Sequence, residues 1–196
     1  MTEEQSGEAR SVRLDHRQIR VLAHPLRIRL LGALRADGPA TATSLAVALD
    51  TNTGATSYHL RQLAEVGLVA EEAGRGTARQ RWWRAVHDTS SWYPSDYDDD
   101  PDARAALEWV QVEHVKWMTE QADRWLTERV TYSPQWRDAA GLSDAFLVIG
   151  PERLTALNQE ISELVRRYRE ASAPDEADAR PVHLVHAAFP AEERDR

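Results

Sequence analysis

The chain has 196 residues, 42% of them apolar and 29% charged, which is room for one large or two small globular domains. It contains no cysteine, so disulfide scaffolds, thiolate metal sites and cysteine nucleophiles are excluded. The net charge of −8 hides an asymmetry: residues 10–87 carry 12 Arg against 6 acids, while residues 88–196 carry 11 Arg and Lys116 against 23 acids. A basic half beside an acidic one hints at a nucleic-acid partner for the first.

The opening MTEEQSGEAR is polar and acidic, unlike a secretory signal, and residues 1–11 are expected to form a disordered tail. No apolar run approaches the roughly 20 residues of a membrane span, so a soluble, cytoplasmic chain with no membrane partner is expected. Leu14, Ile19, Val21 and Leu22 predict a short amphipathic helix ending before His24-Pro25. Leu26, Leu30, Leu31 and Leu34 predict a second helix, which Pro25 can open and Asp37-Gly38-Pro39 stops. Leu45, Ala46 and Leu49 mark a third. A fourth starts with Asn52 or Thr53 as its N-cap, turns Ala55, Leu60, Leu63 and Ala64 inward, and stops at Gly67. Two extended runs, 68–73 and 79–86, flank the glycine-rich tip Gly74-Arg75-Gly76-Thr77, a hairpin pattern. Trp82 and Trp83, adjacent on the second strand, must face opposite ways.

Residues 88–102, rich in Asp, Ser and Pro, read as an acidic linker; they lack the spacing and closing Glu of a calcium loop. A long helix from about 102 to 130 follows, with one stripe through Leu107, Val110, His114, Trp117 and Gln121 and another through Val115, Met118, Ala122 and Trp125. Two stripes imply two packing partners. Residues 146–149 and 182–186 read as strands around a helix that begins at Pro151. The expected architecture is mainly α with small β: a basic helical domain closed by a hairpin over 12–87 and an α+β C-terminal domain over 103–196 for dimerisation or an effector.

Residues 44–69, SLAVALDTNTGATSYHLRQLAEVGLV, carry a Leu45-Ala46 helix, a tight polar turn, then Ser57-Tyr58-His59-Leu60, Leu63 and Gly67-Leu68-Val69. With LAHPLRIRLLGAL upstream and the Arg75, Arg79 and Arg81 hairpin downstream, this resembles the ArsR-type winged helix-turn-helix regulators over about residues 12–87. The resemblance implies a DNA-binding transcriptional regulator; the bi-striped helix and the need to double a small footprint on palindromic half-sites point to a homodimer, and the expected role is that of a repressor with no enzymatic activity. A recognition helix with small polar groups can enter the major groove, about 12 Å wide. Asn52, Thr53, Gly54, Thr56, Ser57, Tyr58 and Arg61 are the expected contacts on that helix. Thr53 and Ser57 would meet phosphate or base, and Arg61 a phosphate or guanine. Gly54 allows close approach to phosphate or simply loosens the first turn. Arg75, Thr77 and Arg79 on the wing would lie by the minor groove or flanking phosphates.

No cofactor or metal is expected. The family's metal sensors use ligands that the segment Ala42–Ala46 lacks, and His183 and His186 would fall on opposite faces of a strand. His59 is expected to be a hydrogen-bonded structural residue. No phosphate loop, nucleophile elbow or dinucleotide fingerprint is present. Trp109, Trp117, Trp125 and Trp136 have two readings, core and dimer interface or an aromatic pocket for a small-molecule effector. The alternative function is a protein-interaction module that keeps the fold without reading DNA.

Overall fold

The structure is a computed structural model that describes residues 11–77, 80–172 and 176–191, without the side chains of 75–77 and Gln80. The chain divides into two compact units between Trp117 and Met118, inside one long helix. The first unit runs in the order β1 (Ser11–Arg13), α1 (His16–Leu22), α2 (Pro25–Ala36), β2 (Ala40–Thr41), α3 (Ala42–Ala48), α4 (Thr53–Glu65), β3 (Val69–Thr77), β4 (Gln80–Ala85) and β5 (Thr89–Ser91). A 3-10 turn at Pro94–Tyr97 then leads into α5 (Pro101–Glu128).

Local chemistry accounts for the helix ends. Asp15 and Gln18 form a reciprocal capping box on α1, and His24 caps α2 by accepting from Leu26 N at 3.1 Å, with Pro25 at the first helical position. Thr41 and Ser44 form a second capping box on α3. At the end of α4 the chain turns through Gly67 at φ +72°, a conformation that costs a residue with a Cβ, and Leu68 N donates back to Leu63 O at 3.0 Å.

The helices bury one face each. Ile19, Leu22, Leu30, Leu31, Leu34, Leu45, Leu60 and Leu63 form a single core with Leu68, Val69 and Trp83. Strand β4 lies between β2 and β3, antiparallel to both, and pairs Ala40 with Trp83 and Val69 with Ala85. The pairing slips between Glu71 and Gly76, where the β3–β4 ribbon extends into the wing. Trp83 is buried in the core, while its neighbour Trp82 is half-exposed on the other face.

The expected acidic linker is part of this unit. β5 pairs in parallel with β1, Ser11 opposite Thr89 and Arg13 opposite Ser91. Tyr97 is fully buried and its hydroxyl donates to Leu14 O at 2.6 Å. Ala103, Leu107 and Val110 of α5 enter the same core. The acids are engaged too: Asp96 binds the Arg13 guanidinium and Asp100 binds Arg20. Exposed ion pairs contribute little each, so the burial of Tyr97 and the α5 side chains holds this segment more strongly than its charges do. A boundary at 88–102 is therefore replaced by one at 117/118. Of the expected tail, residues 1–10 lie outside the described residues and Ser11 belongs to β1.

The second unit holds the end of α5, a 3-10 turn at Arg129–Thr131, α6 (Pro134–Ala139) and α7 (Pro151–Glu170). The chain is thus mainly α with small sheets, as expected, but the strands expected at 146–149 and 182–186 do not form. The described residues of this unit are helical or irregular, not α+β. Both segments have strand-like composition, but composition alone does not make a strand, and Val148 is 99% exposed. Among the described residues no helix is long and apolar enough to cross a membrane.

Candidate nucleic-acid interface

The turn between α3 and α4 is held from three sides. Thr51 N donates to Ala46 O at 2.9 Å, Asp50 adopts φ +50°, and Arg29 of α2 donates to Leu49 O at 3.0 Å. Asn52, in extended backbone geometry, caps α4 by accepting from Ala55 N at 2.8 Å. This fixes the first turn of α4 against the helix before it.

From that start, helical spacing sorts the side chains of α4. Thr56, Leu60 and Leu63 point into the core. Thr53, Ser57 and Arg61, four residues apart in turn, form the outer stripe and line a cleft of about 330 Å³. The opposite wall is Thr41, Ala42 and Thr43 of the α3 start with Arg81 and Trp83 of β4. Arg61 leans back to donate to Ser57 O at 3.1 Å, and Arg81 pairs with Glu71 at 2.7 Å. The cleft thus gathers hydroxyl side chains from both walls with two guanidinium groups, an arrangement suited to phosphate oxygens and base edges.

Thr56 is corrected from an expected contact to a structural residue. It is fully buried and its hydroxyl donates to Asn52 O at 3.0 Å. Its spacing to Leu60 and Leu63 is the sequence signal that assigns it inward. Asn52 is occupied by its cap. Gly54 has a reason beyond close approach or a loose turn: a Cβ there would meet Asn52 Oδ1 at 3.3 Å, crowding the cap. Tyr58 is 54% exposed on the neighbouring face of α4. On the wing, the side chains of Arg75 and Thr77, and the whole of Arg79, lie outside the described residues. Thr41, Thr43 and Arg81 complete the cleft without having been expected as contacts; the Thr41-x-x-Ser44 capping pattern is the available signal for the first.

His59 departs from expectation. Its ring lies 4.3 Å from that of His24, and its buried Nδ1 finds no hydrogen-bond partner among the described residues. Burial pushes the His59 pKa down, helped by His24 and Arg27, and burial with Arg27 pushes His24 down as well. Burial also lowers Arg27. This cluster sits on the α2–α4 contact, away from the outer stripe of α4.

The four C-terminal tryptophans are divided between the two units. Trp109 packs against the first unit's core, and Trp117 ends that unit half-buried. In the second unit Trp125 meets Tyr132 edge-on at 5.3 Å, and Trp136 Nε1 donates to Asp178 O at 3.2 Å. Among the described residues no group of three or more His, Asp or Glu side chains is placed to hold a metal ion.

Helices α1–α4, a tight turn before an exposed helix stripe and a two-stranded wing define a winged helix-turn-helix domain. In sequence it resembles the ArsR type, and a family model described as a helix-turn-helix domain matches residues 22–72. Among solved structures the chain is similar to a Mycobacterium bovis fragment described as a possible transcriptional regulatory protein. The identity is 23%, over 51% of this chain and 87% of that one, with a TM-score of 0.34. A solution structure of a homodimeric winged helix-turn-helix DNA-binding domain from the same organism, a possible ArsR-family regulator, is 24% identical over 50% and 78%, with a TM-score of 0.32. A possible transcriptional regulator for arsenical resistance is 28% identical over 57% and 94%, with a TM-score of 0.31. A search of curated proteins finds no match.

Proposed function

We propose that this chain is a cytoplasmic, sequence-specific DNA-binding transcriptional regulator, acting as a homodimeric repressor. The observation that carries the reading is the Thr53, Ser57 and Arg61 stripe facing a cleft it shares with Arg81 on the wing. An exposed helix stripe of small polar groups fits the major groove, and the guanidinium groups supply the attraction to phosphate. The balance of +6 over residues 10–87 supports the same face. Two copies would double a small footprint and match two half-sites one helical turn apart.

A mobility-shift series with genomic fragments selected by the purified protein tests this. Arg61→Ala and Arg75→Ala are each expected to weaken binding and to lower the salt slope by about one. If both variants bind like the unmodified chain, the docking is wrong. Absence of any salt-sensitive DNA binding favours the protein-interaction reading instead.

A further inference from the structure

Helix α7 buries none of its residues, although Leu154, Leu157, Ile161, Leu164 and Tyr168 recur at alternating three- and four-residue spacing. That spacing keeps one apolar seam on a single face over two heptads and asks for a facing helix. Leu164 is 44% exposed and Tyr168 76%. A shallow groove of about 360 Å³ runs along this side, lined by Leu157, Glu160, Ile161, Glu163, Leu164 and Arg167.

The charges beside the seam discriminate between partners. On the outer face Arg166 is held by Glu163 and by Glu170 of its own helix. Glu160 and Arg167 flank the groove seven residues apart, on the same side of the seam, and form no ion pair among the described residues. Opposite charges at equivalent heptad positions can satisfy each other only on an antiparallel copy of the same helix. With Ile161 facing Leu164 of the second copy and Leu157 facing its Tyr168, Glu160 meets the other copy's Arg167 at both ends of the contact. A twofold axis requires this reciprocity. Sliding by one heptad would set Glu160 against Glu160 and Arg153 against Arg167. Parallel pairing would leave Glu160 beside Val165. Exposed pairs of this kind select orientation and register more than they add affinity.

We propose that α7 is a self-pairing helix that docks antiparallel on α7 of a second copy, in the register that places Leu157 opposite Tyr168. This rests on the dimeric reading above and assigns it a surface. The absence of native cysteine allows a clean test in the full chain. The doubly substituted chain Leu157→Cys/Tyr168→Cys is oxidised beside each single variant, while light scattering follows the oligomeric state. The two positions are about 16 Å apart along one helix, beyond reach of a disulfide within a chain. A covalent dimer from the double variant, with none from either single variant, is the expected result. Glu160→Arg or Arg167→Glu alone should slow that cross-linking, and the two reversals together should restore it. Cross-linking of either single cysteine variant overturns the antiparallel register. A non-covalent dimer in which the double variant never cross-links overturns the α7 contact and leaves the dimeric reading standing. A monomer throughout overturns both.

Discussion

The rings of His24 and His59 lie 4.3 Å apart, joining the cap of α2 to the inner side of α4. Burial lowers the pKa of both, so the folded state binds fewer protons than the unfolded chain, whose histidines titrate near about 6.5. Their contribution to stability is complete above that pH and is lost as pH falls through the lowered folded values. His24 Nδ1 is also the cap acceptor, so protonation there removes the bond from Leu26 N. His24→Asn keeps an acceptor without the titration. Its urea midpoint should fall less than that of the unmodified chain between pH 7.5 and 5.5, and equal losses would refute the coupling.

Thr56→Val separates fold from recognition. It removes a buried hydroxyl while Asn52 O keeps its bond from Thr56 N, so a cost of about 1 kcal/mol is expected. DNA affinity and salt slope of the folded protein should stay unchanged, in contrast to Arg61→Ala. A lost slope measured well below the melting transition would return Thr56 to the interface.

At the α4 cap two substitutions should diverge. Asn52→Ala removes the acceptor for Ala55 N and should cost about 1 kcal/mol by denaturant titration. Gly54→Ala would gain up to about 1 kcal/mol from helix propensity alone. Its new Cβ crowds Asn52 Oδ1, so the measured gain should be smaller and should rise toward the full value in an Asn52→Ala background. Additive effects would show that the cap does not limit position 54.

Tyr97→Phe leaves the buried ring in place and removes the bond to Leu14 O, for an expected loss of about 1–2 kcal/mol. Tyr97→Ala also opens a cavity and should lose about 3–5 kcal/mol. Ending the chain at residue 87 should destabilise the domain comparably, measured by thermal unfolding. A truncated domain as stable as the full chain would restore the linker reading.

Much of the winged helix-turn-helix half is legible in the residues because its signals are local. Pro25 after a capping histidine, Asn52 before α4 and Gly67 after it mark helix ends through bonds that reach only a few residues along the chain. The Leu60 and Leu63 spacing marks an inward face, and the same spacing places Thr53, Ser57 and Arg61 together on the outside. The His24–His59 contact is not legible, since it joins residues on two helices that only the core brings together.

The uneven charge, the helix ends and the helix-turn-helix spacing are therefore determined by sequence alone. The acidic stretch 88–102 reads as a linker because composition reports solvation and not partners. Only the tertiary structure decided that Tyr97 fills the core and that β5 pairs with β1, contacts between residues about 80 positions apart. Segments 146–149 and 182–186 show the converse: strand-like composition does not by itself make a strand, because backbone hydrogen bonds across a ladder are non-local. Local bonds can be read along the chain, whereas pairing and burial depend on which distant residues the fold makes neighbours.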